Sequence, residues 1–139
     1  MIRALDRILF FVSDLSKIPS QHLGHVGLFR FNWEERSCEI DNIVRGRDDL
    51  LPGVMTPAVR ALDHWAFQEL GVRTLYLRVL ADNERAIRLY ERCGYQPIKR
   101  IPLIKQVGID RVDWIEAPET TEPAERYFLQ MKLEGPYAS

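Results

Sequence analysis

The sequence predicts a mixed α/β fold: a largely antiparallel sheet flanked by helices, with residues 1–139 forming a single domain. Three observations carry that expectation. Short β-forming runs lie towards both ends of the chain, and two segments of helical period lie between them. Gly, Pro, Asn and Asp punctuate nearly every junction, and neither an internal repeat nor a long linker divides the chain. A hydrophobic content of 46% and a charged content of 28% are enough to build one core without disulfides or metal.

Taken in order, Arg7 to Val12 (RILFFV) is a short apolar run that suits a buried strand. The stretch SDLSKIPSQHLG supplies turn residues. Val26 to Phe31 and Cys38 to Val44 then read as an antiparallel hairpin joined by the polar NWEERS. On the second of these strands Glu39 and Asp41 are two apart and share a face, with Ile40 and Asn42 on the other. Thr56 is a good N-cap and Pro57 a good first helical residue, so a helix is expected from Pro57 to Leu70 with Gly71 ending it. Its apolar stripe is Val59, Leu62, Ala66 and Leu70, while Arg60, Asp63 and Gln68 fall elsewhere. Val72 to Leu80 is a strand with Leu75, Leu77 and Val79 on one face. A second helix follows Asp82-Asn83 and closes at Gly94. Pro97 to Leu103 and Tyr127 to Leu133 are the last strands expected, with a solvated, acidic loop before the second of them.

Charge and cysteine usage narrow the function. A net charge of -1, with basic residues interleaved among acids, gives no pull towards nucleic acid. No apolar run approaches the roughly 20 residues needed to cross a bilayer, and the N-terminus reads as a strand rather than a signal peptide. Two cysteines, Cys38 and Cys93, suit a reducing cytoplasm. His22 and His25 have no cysteine or carboxylate beside them, and no metal site is expected.

Two stretches carry chemistry. After Arg45-Gly46 the loop RDDLLPGVM runs into a helix N-terminus, where the amides of Gly53, Val54, Met55 and Thr56 would face an anion with the helix dipole behind them. This loop has neither the Lys-Ser/Thr of a P-loop nor a GxGxxG. About thirty residues on, the strand that ends at Leu80 gives way to a polar break and the sequence continues Asn83, Ala86, Tyr90, Gly94, Tyr95.

That second spacing resembles the GNAT acetyltransferases, whose pattern is Asn, two residues, Ala, three residues, Tyr, three residues, then Gly and an aromatic. The resemblance implies a GNAT-like fold using acetyl-CoA as cosubstrate. It implies that Asn83 contacts the coenzyme, that Ala86 leaves room for the pantetheine arm and that Tyr90 faces the sulfur. The backbone of Ile43 and Val44 would meet the pantetheine amides, and the 53–56 amides would take the phosphates. In the phosphate loop, Leu50 and Met55 stand where the family has Gln or Arg and Gly or Ala. The family also places a strand and two helices ahead of RILFFV, where this sequence has six residues. The implied fold is thus N-terminally shortened; either that wall is open, or a second copy or another polypeptide supplies it, with self-association the favoured expectation.

The implied reaction is acetyl transfer to a primary amine by direct attack in a ternary complex. Glu39 is the first candidate for general base and Asp41 the second, with Tyr90 as the acid that protonates the leaving thiolate. The acceptor is left open among an amino sugar, a protein N-terminus and a small polyamine. A non-catalytic domain that binds acyl-CoA or serves assembly is the alternative.

Overall fold

The computed structural model describes residues 7–14, 21–45, 55–118, 121 and 123–135. In chain order the elements are β1 (Arg7–Asp14), β2 (Gln21–Asn32), β3 (Ser37–Arg45), α1 (Met55–Trp65), a π-helical turn (Ala66–Leu70), β4 (Thr74–Leu80), α2 (Glu84–Arg92), β5 (Gln96–Val107), β6 (Val112–Glu116) and β7 (Arg126–Glu134). The strands form a mixed, largely antiparallel sheet. The chain divides into two compact units, Met1–Leu77 with Leu133–Ser139, and Arg78–Lys132.

In the first unit the strand order is β1-β2-β3-β4. The first two pairings are antiparallel and β3–β4 is parallel, a connection that needs a crossover, which α1 supplies. Register sorts the side chains into rows. Leu28 lies opposite Ile40, and Ile40 opposite Leu77; these are 0%, 3% and 1% exposed, so this face is core. Full burial of each such side chain contributes about 1.5–3 kcal/mol. One residue along, Phe29, Glu39 and Tyr76 form a row on the other face.

β2 starts earlier than its sequence suggests. Gln21 and His22 pair with Asp14 and Ser13 of β1, so main-chain pairing with a neighbour overrides the polar, turn-like QHLG. The β2–β3 turn is closed by the Asn32 side chain, whose Oδ1 accepts from the Glu35 amide at 3.1 Å, and by Arg36 at φ 58.

Helix α1 buries Val59 and Leu62, and the π-helical turn after it buries Ala66, as the periodicity predicts; α1 also buries Asp63. Asp63 stands four residues after Val59 and three before Ala66, so helical geometry puts it on the inner face despite its charge. The helix begins at Met55, which places Thr56 inside its first turn rather than at the cap. After Trp65 it widens into the π-helical turn, and Gly71, at φ 68, stops it by donating its amide to the Ala66 carbonyl.

In the second unit the order is β4-β7-β5-β6. β5 pairs antiparallel with β7 from Gln96–Lys132 to Leu103–Arg126, and with β6 from Leu103–Glu116 to Val107–Val112. Ile101, Leu103 and Met131 are its core. β6 is absent from the sequence expectation because VDWIE mixes two acids into a five-residue run. It forms as the return strand of a hairpin closed by the Gly108 amide donating to the Arg111 carbonyl. Arg78 and Glu116 form an ion pair in this unit. Among the described residues no helix is long and apolar enough to cross a membrane.

Candidate functional site

The motif Asn83 to Tyr95 folds as a nine-residue helix with a cap at each end. At the start, Asn83 Oδ1 accepts from the Ala86 amide at 3.2 Å and the Asn83 carbonyl accepts from the Ile87 amide at 3.1 Å. The oxygen of the Asn83 amide thus serves as the helix cap, and the NH2, which the cap does not use, is a donor it can offer a ligand. Glu84 in the first turn and Arg92 in the last complement the helix dipole.

The other end is a Schellman stop. Gly94, at φ 97, donates to the Glu91 carbonyl at 3.0 Å, and the Tyr95 amide donates to the Tyr90 carbonyl at 3.0 Å. The apolar contact that accompanies such a stop is made by the Tyr90 and Tyr95 rings, whose centroids are 6.0 Å apart and whose planes meet at 67°. Tyr90 is 7% exposed and Tyr95 2%. Three motif residues thus share one structural task, and Tyr90 has its ring position fixed by it. Ala86 is half-buried and Asn83 exposed on the same helix.

Residues that the sequence did not mark hold the turn before this helix. Arg126 Nη2 reaches both Asp82 carboxylate oxygens, at 3.2 and 3.3 Å, and the Arg126 guanidinium lies over the Trp114 ring at 5.4 Å from its centroid. The Asn83 amide donates to the Leu80 carbonyl, and the Ala81 amide to the Tyr127 carbonyl. No local spacing signals the Asp82–Arg126 pair, because its partners are 44 residues apart. A cavity of about 310 Å³ in this unit is lined by Leu103, Lys105, Trp114, Thr121, Ala124 and Glu125 among others, and Asn83, Ala86 and Tyr90 are not part of its lining.

The remaining predicted residues belong to the first unit. Glu39 is 6% exposed, and its Oε2 lies 3.3 Å from Arg30 Nη1. Asp41, Ile43 and Val44 lie on β3, with Asp41 paired to Gly27 and Val44 to His25 of β2. Pairing of β3 with β4 runs from Ser37–Thr74 to Ile40–Leu77 among the described residues. Gly53 and Val54 lie outside the described residues, while Met55 and Thr56 open α1, with Thr56 buried.

Charge and burial also set two titrations here. Burial, followed by the nearby Asp63 and Glu39 carboxylates, pushes the Cys38 thiol up to about 12. Tyr76 is likewise pushed up to about 12, by burial and by its hydroxyl donating to Glu35 Oε1 at 2.7 Å, with Glu134 adding to the effect. Cys38 is thus a packed thiol rather than a nucleophile. Among the described residues no group of three or more His, Cys, Asp or Glu is placed to hold a metal ion.

Comparison with known proteins bears on the same elements. The acetyltransferase (GNAT) domain family matches residues 5–96. A spermidine N(1)-acetyltransferase of Vibrio cholerae serotype O1 is 34% identical over 118 residues, covering 73% of this chain and 66% of its own length. Two solved structures share the fold. A Vibrio cholerae spermidine N-acetyltransferase in complex with CoA and spermine matches with TM-score 0.70 at 20% identity, over 92% of this chain and 65% of that one. The spermidine/spermine N-acetyltransferase SpeG of Vibrio cholerae in complex with manganese ions matches with TM-score 0.68 at 21% identity, with the same coverages of 92% and 65%. This chain therefore spans just under two thirds of the length of these relatives.

Proposed function

Since the chain belongs to the acetyltransferase (GNAT) domain family, we propose that it transfers an acetyl group from acetyl-CoA to a primary amine, with a polyamine of the spermidine class as acceptor. The observation that carries this is α2: a helix capped by Asn83 through its oxygen, with its amide NH2 left to donate, and with the Tyr90 ring locked by Tyr95 and Gly94. The polyamine acceptor takes its support from the relative named as a spermidine N(1)-acetyltransferase, which is 34% identical.

In this proposal the amine nitrogen attacks the thioester carbonyl in a ternary complex, the C–N bond forms, and the C–S bond breaks as the tetrahedral intermediate collapses. Glu39 takes the ammonium proton, directly or through water, with Asp41 as the second candidate. Tyr90 returns a proton to the leaving thiolate. A phenol near 10 is a modest acid towards a thiolate whose acid lies near 8.5, so its use depends on position. Main-chain groups of Ile43 and Val44 meet the pantetheine arm and steady the oxyanion. The amides of Gly53, Val54, Met55 and Thr56 take the phosphates, and Asn83 and Ala86 flank the arm.

The whole of 1–139 acts as one catalytic domain in this proposal, as a homodimer or with a partner chain that completes the acceptor groove, and in the cytoplasm, where Cys38 and Cys93, neither in a disulfide, are at home. Thermal stabilisation tests coenzyme use. Acetyl-CoA at a hundred times its dissociation constant should stabilise the protein by about 2.7 kcal/mol, and adenosine diphosphate at the same concentration by much less. No shift at millimolar acetyl-CoA would overturn the proposal.

A further inference from the structure

We infer that Arg30 is a positioning residue for Glu39, carried on a bulge of β2 that turns its guanidinium onto the face where the Glu39 carboxylate lies. The inference rests on the role proposed above for Glu39 as the base. From the Phe29–Glu39 pair to the Asn32–Ser37 pair the chain advances three residues on β2 and two on β3, so β2 carries one extra residue. Arg30 sits in that bulge at φ 52, the left-handed region that favours glycine. The described residues include only one other non-glycine at positive φ, Arg36 in the adjoining turn.

The bulge changes what Arg30 can reach. In a regular strand successive side chains alternate, so Arg30 would point away from the face shared by Phe29 and Glu39. Here the guanidinium instead lies over the Phe29 ring, 4.9 Å from its centroid, and Nη1 donates to Glu39 Oε2 at 3.3 Å. The Phe29 ring supports one side of the guanidinium while the carboxylate binds its edge, which holds both partners in one geometry.

The two ends of this pair differ in burial. The Glu39 side chain is 8% exposed and that of Arg30 51%. A carboxylate so far from water needs a polar partner, and the one that reaches its Oε2 holds it in one orientation. The half-exposed arginine gives up little hydration to do so. Glycine would satisfy the backbone at position 30 better than arginine, so the arginine is explained by its side chain, and the atom that side chain reaches is Glu39 Oε2.

The test uses the full chain with acetyl-CoA and spermidine. Arg30→Gly keeps the left-handed backbone and removes the guanidinium, Arg30→Lys keeps a charge, and each is made with and without Glu39→Gln. The inference expects Arg30→Gly to fold, to lose about tenfold or more in kcat, and to keep KM for acetyl-CoA within about twofold. It expects Arg30→Lys to recover most of that loss. In the Glu39→Gln background Arg30→Gly should cause no further loss, because it acts through the carboxylate. Turnover by Arg30→Gly within about twofold of the unaltered protein, or a loss that simply adds to that of Glu39→Gln, would overturn the inference alone. Absence of turnover by the unaltered protein would overturn the acetyl-transfer proposal and this inference with it.

Discussion

Tyr95 holds Tyr90 at two points: its amide donates to the Tyr90 carbonyl at 3.0 Å, and its ring meets the Tyr90 ring edge to face at 6.0 Å. The residue proposed to protonate the thiolate is thus also one that anchors the stop of α2. Two substitutions separate those roles. Tyr90→Phe keeps the ring contact and should change stability by about 1 kcal/mol or less while lowering kcat. Gly94→Ala forces a Cβ into the left-handed region at φ 97 and should cost about 1–2 kcal/mol in chemical denaturation. A Tyr90→Phe protein with unchanged kcat would remove the hydroxyl from the mechanism.

Asn83 offers a second separation, because its oxygen and its nitrogen have different tasks. Asn83→Asp keeps an acceptor for the Ala86 amide, so the cap survives, but it removes the NH2 and adds a negative charge. Its stability should stay near that of the unaltered protein while acetyl-CoA affinity falls, as read by thermal shift at graded coenzyme. Asn83→Ala should lose affinity and also about 1 kcal/mol of stability. Equal coenzyme affinity in both variants and in the unaltered protein would exclude Asn83 from the coenzyme site.

The buried thiol predicts a pH dependence. Cys38 ordinarily lies at 9.0 and is raised to about 12 in the fold, so folding favours its protonated form. That contribution is fully present below about pH 9 and is lost as pH rises through about 12. Tyr76, raised from 10.0 to about 12, acts in the same direction from about pH 10 upward. Urea midpoints of the unaltered protein and of Cys38→Ala should therefore converge above pH 9. At pH 8 a thiol reagent should modify the half-buried Cys93 first and Cys38 only on unfolding. Rapid modification of Cys38 in the folded protein would contradict its packing.

These sites differ in how far the sequence revealed them, for physical reasons. The apolar positions Leu75, Leu77 and Val79 on β4 and the Asn83 to Gly94 helix were legible because period, cap and stop act within a few residues. The start of β2 was not, since Gln21 and His22 become strand only through pairing with β1. Asp63 showed the opposite failure: its spacing from Val59 pointed inward, and its charge suggested otherwise. Within the proposed site, Asn83, Ala86 and Tyr90 are marked by spacing, but the part Tyr90 plays in the helix stop needed the main-chain bonds. Arg30 was hidden altogether, because regular alternation puts it on the wrong side of β2 and only the bulge brings it to Glu39.

The central claim is acetyl transfer to an amine, and release of free coenzyme thiol from acetyl-CoA with spermidine as acceptor measures it most directly. The account predicts turnover that depends on both substrates, yields N-acetylated spermidine by mass spectrometry, and falls steeply in Tyr90→Phe and Glu39→Gln proteins that remain folded. Thiol release that does not depend on the amine, or none at all from a protein that acetyl-CoA stabilises, would contradict it.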